Sequence, residues 1–469
     1  MKKAVAWTAV AKYSTAALQL IFAAILSRIL TPEQYGTVAV INVFVVFFQL
    51  FCDMGFGTAV IQNKELTNKQ TNDIFSWTVY LGIGLMALFI AASYPISHFY
   101  EDSIFISLGT ILSTSLLFNA LNMIPNAVML KEKRFKSIAF RTIISGVTAS
   151  LLTIVLAFKG WGVYALVLQS VITALIIFVW NILSVKLHFY INPDFSSIKK
   201  IWGYSVYQFL SQLINYFNRN LDSLLIGKFF SKADLGQYNK SYHLIQMPII
   251  YIPGVIGPAL HPILSEHQND PKYILTSYLK IVKILSIVGC FLSVWLYFVG
   301  EEMIILLFGD QWHPAILPFK ILALSVWFQL LSNTIAPIYQ SIGNTKLMFI
   351  STLLSSLLII SFIVVGCILG SIVNVAFCVL GSFILSFFLI YYILIKHGFK
   401  EKYWNFLKSF WQETLYFVVM MGTTLLPIGV EDNLFFSFLL KSLVITIVYV
   451  IMLVITRQHT LLLNMIRRK

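Results

Sequence analysis

Runs of roughly 20 apolar positions, the length a helix needs to cross a bilayer core, alternate with short polar segments along almost the whole chain. The pattern predicts membrane-spanning helices near 8–30, 38–61, 74–97, 104–127, 138–158 and 161–185. A second group is expected near 202–226, 241–264, 279–299, 316–342, 347–369 and 371–395, and a last pair near 411–429 and 435–456. The fold class is therefore an all-α polytopic membrane protein of about 14 spans. Pro248, Pro253, Pro258 and Pro262 mark the eighth span as a place for kinks.

Composition excludes a soluble globule, because 58% of the 469 residues are hydrophobic and only 11% are charged. The net charge of +14 would suit nucleic acid, but the cations fall between the apolar runs, which marks topology instead. With the N-terminus in the cytoplasm, Lys64 and Lys69, Lys131 to Lys136, Lys186 to Lys200, Lys272 to Lys283, Lys396 to Lys408 and Arg457 to Lys469 all fall inside. Glu101, Asp102, Glu301, Glu302, Glu431 and Asp432 then lie outside. One outer segment breaks the rule, with Lys228, Lys232 and Lys240. An even number of spans puts both termini in the cytoplasm. Lys2 and Lys3 precede an apolar run with no small-residue cleavage pattern, so a retained first helix is expected. Phe399 to Trp411 interleaves lysines with aromatics and suits either an interfacial helix or a basic connector. Cys52, Cys290, Cys367 and Cys378 lie in apolar stretches without CxxC spacing and read as small core residues, with no metal site.

An internal repeat organises the spans. Thr31-Pro-Glu-Gln-Tyr-Gly36 and Ser231-Lys-Ala-Asp-Leu-Gly236 stand 200 residues apart, as do Gly57 and Gly257, and Ala59 and Ala259. Tyr13-Ser14 resembles Tyr204-Ser205 at a slightly shorter offset. Six spans per half preserve orientation, so the halves are parallel repeats. The expected organisation is a six-helix lobe over 1–197, a second over 198–396, and a connector with two peripheral helices over 397–469.

Several motifs carry a family resemblance. Leu26-Ser-Arg-Ile-Leu-Thr-Pro-Glu-Gln-Tyr-Gly36 and Gly55-Phe-Gly-Thr-Ala-Val-Ile-Gln62 resemble the opening of Wzx-type polysaccharide flippases of the multidrug/oligosaccharidyl-lipid/polysaccharide exporter superfamily. Asn220-Leu-Asp-Ser-Leu-Leu-Ile-Gly227, Leu235-Gly-Gln-Tyr238, Leu307-Phe-Gly-Asp-Gln-Trp312 and Ile321-Leu-Ala-Leu324 are similar to the subgroup of colanic-acid and teichuronic-acid exporters. The resemblance implies a bacterial inner-membrane protein that flips undecaprenyl-diphosphate-linked oligosaccharides for capsule, O-antigen or exopolysaccharide synthesis. It also implies two six-helix bundles around a cationic cavity, with a polymerase and glycosyltransferases as partners.

Charges inside spans are costly and point to function. Lys12 and Arg28 lie in the first span without an acid, and Arg219 and Asp222 stand three apart in the seventh. Arg219 is the first candidate for a diphosphate or sugar acid, because a guanidinium grips phosphate oxygens in a fork, with Lys12 and Arg28 assisting. An Arg219–Asp222 structural ion pair is the alternative; for Lys12, Arg28, Arg141 and Lys320 it is snorkelling to the interface. Gln208, Gln212, Asn215, Asn218 and Asn220 make the seventh span polar, which suits sugar hydroxyls in a cavity or hydrogen bonds between helices. Asp53 and Asp222 are the carboxylates placed well within spans; each suits H⁺ or Na⁺ coupling, or a local cap or ion pair.

No P-loop, HExxH or Gly-rich phosphate motif supports an enzyme or an ATP-driven pump. A cation-coupled multidrug antiporter would favour acids where the first span has Lys12 and Arg28. A peptidoglycan lipid-precursor flippase shares the diphosphate logic and is the nearer alternative.

Overall fold

The computed structural model describes residues 2–53, 56–63, 65–196, 220–254, 270–429 and 433–460, with isolated positions at 198, 209, 213, 216, 217, 264, 267 and 268. Every regular element among the described residues is helical. Among the described residues, nine helices are long and apolar enough to cross a membrane, and a bent pair, Asp310–Ala323 and Val326–Ser341, adds a tenth if taken as one span. Of the other expected spans, three fall on Lys2–Ile29, Lys232–Tyr251 and the 13-residue Trp411–Thr423, and the seventh, 202–226, lies mostly outside the described residues. The chain divides into two compact units, residues 1–236 and 237–469.

The first unit contains α1 (Lys2–Ile29), α2 (Pro32–Asp53), α3 (Phe56–Gln62), α4 (Asn68–Tyr100), α5 (Ile104–Lys131), α6 (Phe135–Phe158), α7 (Val163–Ser184), α8 (220–229) and the start of α9 (Lys232–Tyr251). The span expected over 38–61 falls on α2 and α3, and the two residues between them, 54 and 55, lie outside the described residues. Packing of α5 on α4 and α7, and of α6 on α1 and α7, builds the bundle. At one end, Lys131 Nζ donates to Asn63 O (2.9 Å), Tyr190 N to Ser76 Oγ (2.8 Å) and Tyr80 OH to Ile191 O (2.6 Å). These bonds pin the segment after α7 to the capped start of α4, where Thr67 and Gln70 form a capping box. Lys69, Lys131, Lys133, Arg134 and Lys186 gather at this end.

At the opposite end the two repeat motifs adopt the same local structure. Thr31 N donates to Gln34 Oε1 (3.0 Å) while Gln34 N donates to Thr31 Oγ1 (3.3 Å). Ser231 N donates to Asp234 Oδ2 (3.3 Å) while Asp234 N donates to Ser231 Oγ (3.1 Å). Each box satisfies two N–H groups that a helix start leaves orphaned, one for α2 and one for α9. Two residues further on, Gly36 and Gly236 meet. A Cβ on Gly36 would overlap the Lys232 carbonyl, and one on Gly236 would overlap the Pro32 carbonyl. Only glycine permits so close a backbone crossing.

The second unit is built on α10 (Pro271–Phe298), which follows the remainder of α9. Next come α11 (Gly300–Phe308), a 3₁₀ turn (Asp310–Ala315), α12 (Ile316–Ala323), α13 (Val326–Ser332) and α14 (Ile335–Ser341). The chain continues as α15 (Thr345–Ile368), α16 (Ile372–Tyr392), a π-turn (Ile393–Gly398), α17 (Tyr403–Lys408), α18 (Trp411–Thr423) and α19 (Leu434–Ile455). The span expected at 316–342 is broken, bending by 51° between Ala323 and Val326. Ser325 turns its hydroxyl back onto Leu322 O at this bend, a competitor to regular helical bonding, and Thr334 does the same onto Leu331 O at the junction of α13 and α14.

The C-terminal helices α18 and α19 join the core of this unit, where Tyr416, Met420, Ile445 and Tyr449 pack with Tyr278, Val282 and Tyr391. Two ion pairs fix them: Lys283 Nζ to Glu413 Oε2 (2.8 Å) and Lys441 Nζ to Glu302 Oε1 (2.5 Å). Tyr449 OH adds a bond to Ile287 O (2.6 Å).

Candidate functional site

The polar segment before α9 meets α2 through aromatic residues. Phe209 packs on Phe51 (5.0 Å between ring centroids) and Tyr216 on Phe47 (5.4 Å). The Tyr216 hydroxyl donates to Val43 O (3.0 Å), and Tyr100 OH from the end of α4 donates to Leu224 O (3.3 Å). Positions 209, 216 and 220 are spaced seven and four apart, so they share one helical face.

Where α2, α4, α5, α8 and α9 converge, a cleft of about 550 Å³ is lined by Glu33, Tyr100, Glu101, Phe105, Lys228 and Lys232, among others. Lys228 pairs with Glu101 (3.7 Å), donates to Phe99 O (2.6 Å) and sits 4.6 Å over the Phe99 ring. Lys232 forms an ion pair with Asp102 and lies over Phe105. Partial burial pushes the Asp102 carboxyl up, but the Lys232 ammonium and the Ile104 N–H outweigh it and hold the carboxyl below its ordinary range. These pairs account for two of the three lysines that break the loop-charge pattern. The third, Lys240, lies within α9, 4.9 Å over Phe308 and 5.2 Å over Trp312. The Leu307–Trp312 motif thus supplies rings around Lys240, and its neighbours Gln311 and Ala315 accept bonds from Gln237 (3.0 Å) and Ser241 (2.8 Å) of α9.

The sequence-derived candidates separate into groups. Gln208, Gln212, Asn215, Asn218 and Arg219 lie outside the described residues, as does the Asp53 side chain. Lys12 is half-buried on α1, and Arg28 is exposed in its last turn. Asp222 is 6% exposed, and its Oδ1 accepts from Ser223 N (2.7 Å). Asn220 Nδ2 donates to Tyr216 O (2.8 Å).

Two sequence expectations need correction. Arg141 does not snorkel: it is 7% exposed, and its Nη1 donates to Asn181 Oδ1 (2.6 Å) and Asn126 Oδ1 (3.1 Å). Asn181 in turn donates to Asn122 Oδ1 (2.5 Å). Lys320 is likewise engaged, 3.3 Å from Glu301. Three further carboxylates near helix starts are buried: Asp73, Glu302 and Glu413 are 2%, 4% and 0% exposed. Hydropathy placed Glu302 in a loop and Asp73 just outside a span, because a single charge at a helix end resembles a boundary, while Glu413 fell at the start of the span expected at 411–429. Basic partners in distant sequence, Lys283 and Lys441, carried the missing signal.

Comparison with known proteins gives this architecture a context. The profile of a family described as "Polysaccharide biosynthesis protein" matches residues 25–317. Teichuronic acid biosynthesis protein TuaB of Bacillus subtilis is 24% identical over 345 residues, covering 73% of this chain and 71% of that protein. Lipopolysaccharide biosynthesis protein WzxC of Escherichia coli is 22% identical over 412 residues, covering 86% and 83%. In fold the chain is similar to the lipid II flippase MurJ in an inward closed conformation, with a TM-score of 0.76 at 16% identity over 97% of this chain and 99% of that one. It is also similar to an inward-facing multidrug resistance MATE transporter of the MOP superfamily, with a TM-score of 0.62 at 17% identity, covering 87% and 96%. A multi-pass membrane protein with these relatives and this fold, its profile match spanning more than half of its length, belongs to the polysaccharide biosynthesis protein family.

Proposed function

We propose that the protein is a flippase carrying undecaprenyl-diphosphate-linked oligosaccharides from the cytoplasmic to the outer leaflet of the bacterial inner membrane, with both termini cytoplasmic. Lobes 1–197 and 198–396 expose the cargo alternately, and 397–469 is appended to the second. Relatives named for teichuronic acid, lipopolysaccharide and succinoglycan biosynthesis support polymer precursors as the cargo class. The lysine-rich end of the first unit supports its cytoplasmic placement.

The observation that carries the site assignment is the packing of Phe209 and Tyr216 on Phe51 and Phe47. The polar residues Gln208, Gln212, Asn215 and Arg219 each stand one place in sequence before position 209, 213, 216 or 220, and we take them to form a separate, polar side of the seventh span. That side suits a hydrated cavity in which Arg219 grips the diphosphate while Gln212, Asn215 and Asn218 meet sugar hydroxyls, with Lys12 and Arg28 adding positive charge. We assign Asp222 to the support of Arg219 and Asp53 to a local cap. Loss of H⁺- or Na⁺-dependent export in Asp53→Asn or Asp222→Asn would reassign either to coupling.

Surface polymer measured in cells carrying Arg219→Ala or Arg219→Lys tests the site. The expected result is loss of polymer in the first, partial retention in the second, and lipid-linked units accumulating inside. Normal export at normal protein levels removes Arg219 from the mechanism.

A further inference from the structure

The buried face of α6 is a stripe at four-residue spacing, Arg141, Ser145, Ala149, Thr153 and Ala157. Its opposite face exposes Phe140, Ile144, Leu151, Val155 and Phe158. Arg141 therefore points into the bundle and away from lipid, at the head of small residues that let α1 and α7 approach closely. Its partners Asn126 and Asn181 are neutral carboxamides, and among the described residues no carboxylate pairs with it. Nε is buried without a partner. Asn122 and Asn126 flank Pro125 of α5, so the guanidinium is clamped at a proline site of one helix and the end of another.

Lys12 stands at the same level. It lies 17 residues before the end of α1, and Arg141 lies 17 before the end of α6 (29 minus 12 and 158 minus 141). Both helices end at the capped end of the unit and pack on each other. Two cations thus share a layer about 26 Å below that end, toward the lysine-rich end.

A buried, permanently charged guanidinium held by acceptors that do not neutralise it is arranged to attract an anion. We propose that Arg141, fixed by Asn122, Asn126 and Asn181 and aided by Lys12, forms a phosphate-binding point where a lipid diphosphate is first taken up. This rests on the flippase reading and adds a second anion contact to it.

The test measures thermal stabilisation of purified full-length protein by undecaprenyl diphosphate, undecaprenol and inorganic diphosphate. Arg141→Gln is expected to weaken undecaprenyl-diphosphate binding about tenfold or more, the usual worth of a hydrogen-bonded charge contact. Asn181→Asp is the control for structure, because it turns the Arg141 contact into an ion pair that neutralises the cation, in exchange for the Asn181 donation to Asn122. If Arg141 only holds helices together, Asn181→Asp binds like wild type, and the proposal fails. If it binds anions, Asn181→Asp folds at least as stably and still binds weakly. Stabilisation by inorganic diphosphate equal to that by the lipid would reassign the site to a free anion and overturn uptake of lipid. Wild-type protein insensitive to all three probes would instead sink the flippase reading itself.

Discussion

Gly36 and Gly236, equivalent positions of the internal repeat, lie against each other, with the Cβ position of each 3.1 Å from the other's backbone nitrogen. Each follows a capping box that sets the direction of its helix, so the repeat has converged on one reciprocal crossing. With Lys228–Glu101 and Lys232–Asp102 beside it, this crossing forms a latch at the end of the unit that we assign to the outer side.

A methyl group at either glycine meets a carbonyl, which cannot rotate away as a flexible side chain can. Gly36→Ala and Gly236→Ala are expected to lower stability by about 1–3 kcal/mol, the usual cost of overpacking. Gly84→Ala and Gly146→Ala, on helices with no described atom within 4 Å of the new carbon, should be neutral or stabilising by about 0.5–1 kcal/mol. Thermal unfolding in detergent of the four variants separates the two classes.

The latch also has a test of opening. Cysteines at positions 102 and 232, in a background without the native thiols, should be joined by a short bis-thiol linker. Export should stop when they are joined and return when a cleavable linker is reduced. Undiminished export in the joined protein would show that this end need not open.

Asp102 gives the latch a pH dependence. Its carboxyl is held below the ordinary value of 3.8, so it contributes stability above that pH and loses it as pH falls through the depressed value. The difference in melting temperature between wild type and Asp102→Asn should be constant well above pH 3.8, shrink as pH falls from there, and vanish below the depressed value. A difference that persists in strong acid would assign the effect to packing.

Glu413 is fully buried and its Oε1 has no partner, so Lys283 alone balances its charge among the described residues. Removing one partner leaves an uncompensated buried charge, and Lys283→Met should cost about 3–5 kcal/mol. Lys283→Met with Glu413→Leu should recover most of it. Melting temperatures of the two single variants and the double variant check this.

Much of the helical layout was legible because a membrane span needs a long apolar run and its loops carry the charge bias. The broken span at 316–342 was not, since the bend falls at Leu324 and Ser325 without interrupting hydropathy. The repeat was visible as matching letters, but only coordinates reveal that Gly36 touches Gly236. The Arg141 clamp was hidden for a related reason: Asn122, Asn126 and Asn181 lie on two other helices and read singly as unremarkable polar residues.

The most direct test of the central claim is flipping by purified protein in vesicles. Undecaprenyl-diphosphate-linked oligosaccharide bearing a fluorescent sugar is loaded in one leaflet, and its arrival in the other is followed by a membrane-impermeant quencher. The account predicts transfer faster than in protein-free vesicles, abolished by Arg219→Ala and by joining positions 102 and 232. Transfer no faster than in protein-free vesicles, with the same vesicles moving a cationic drug against a proton or sodium gradient, would contradict it.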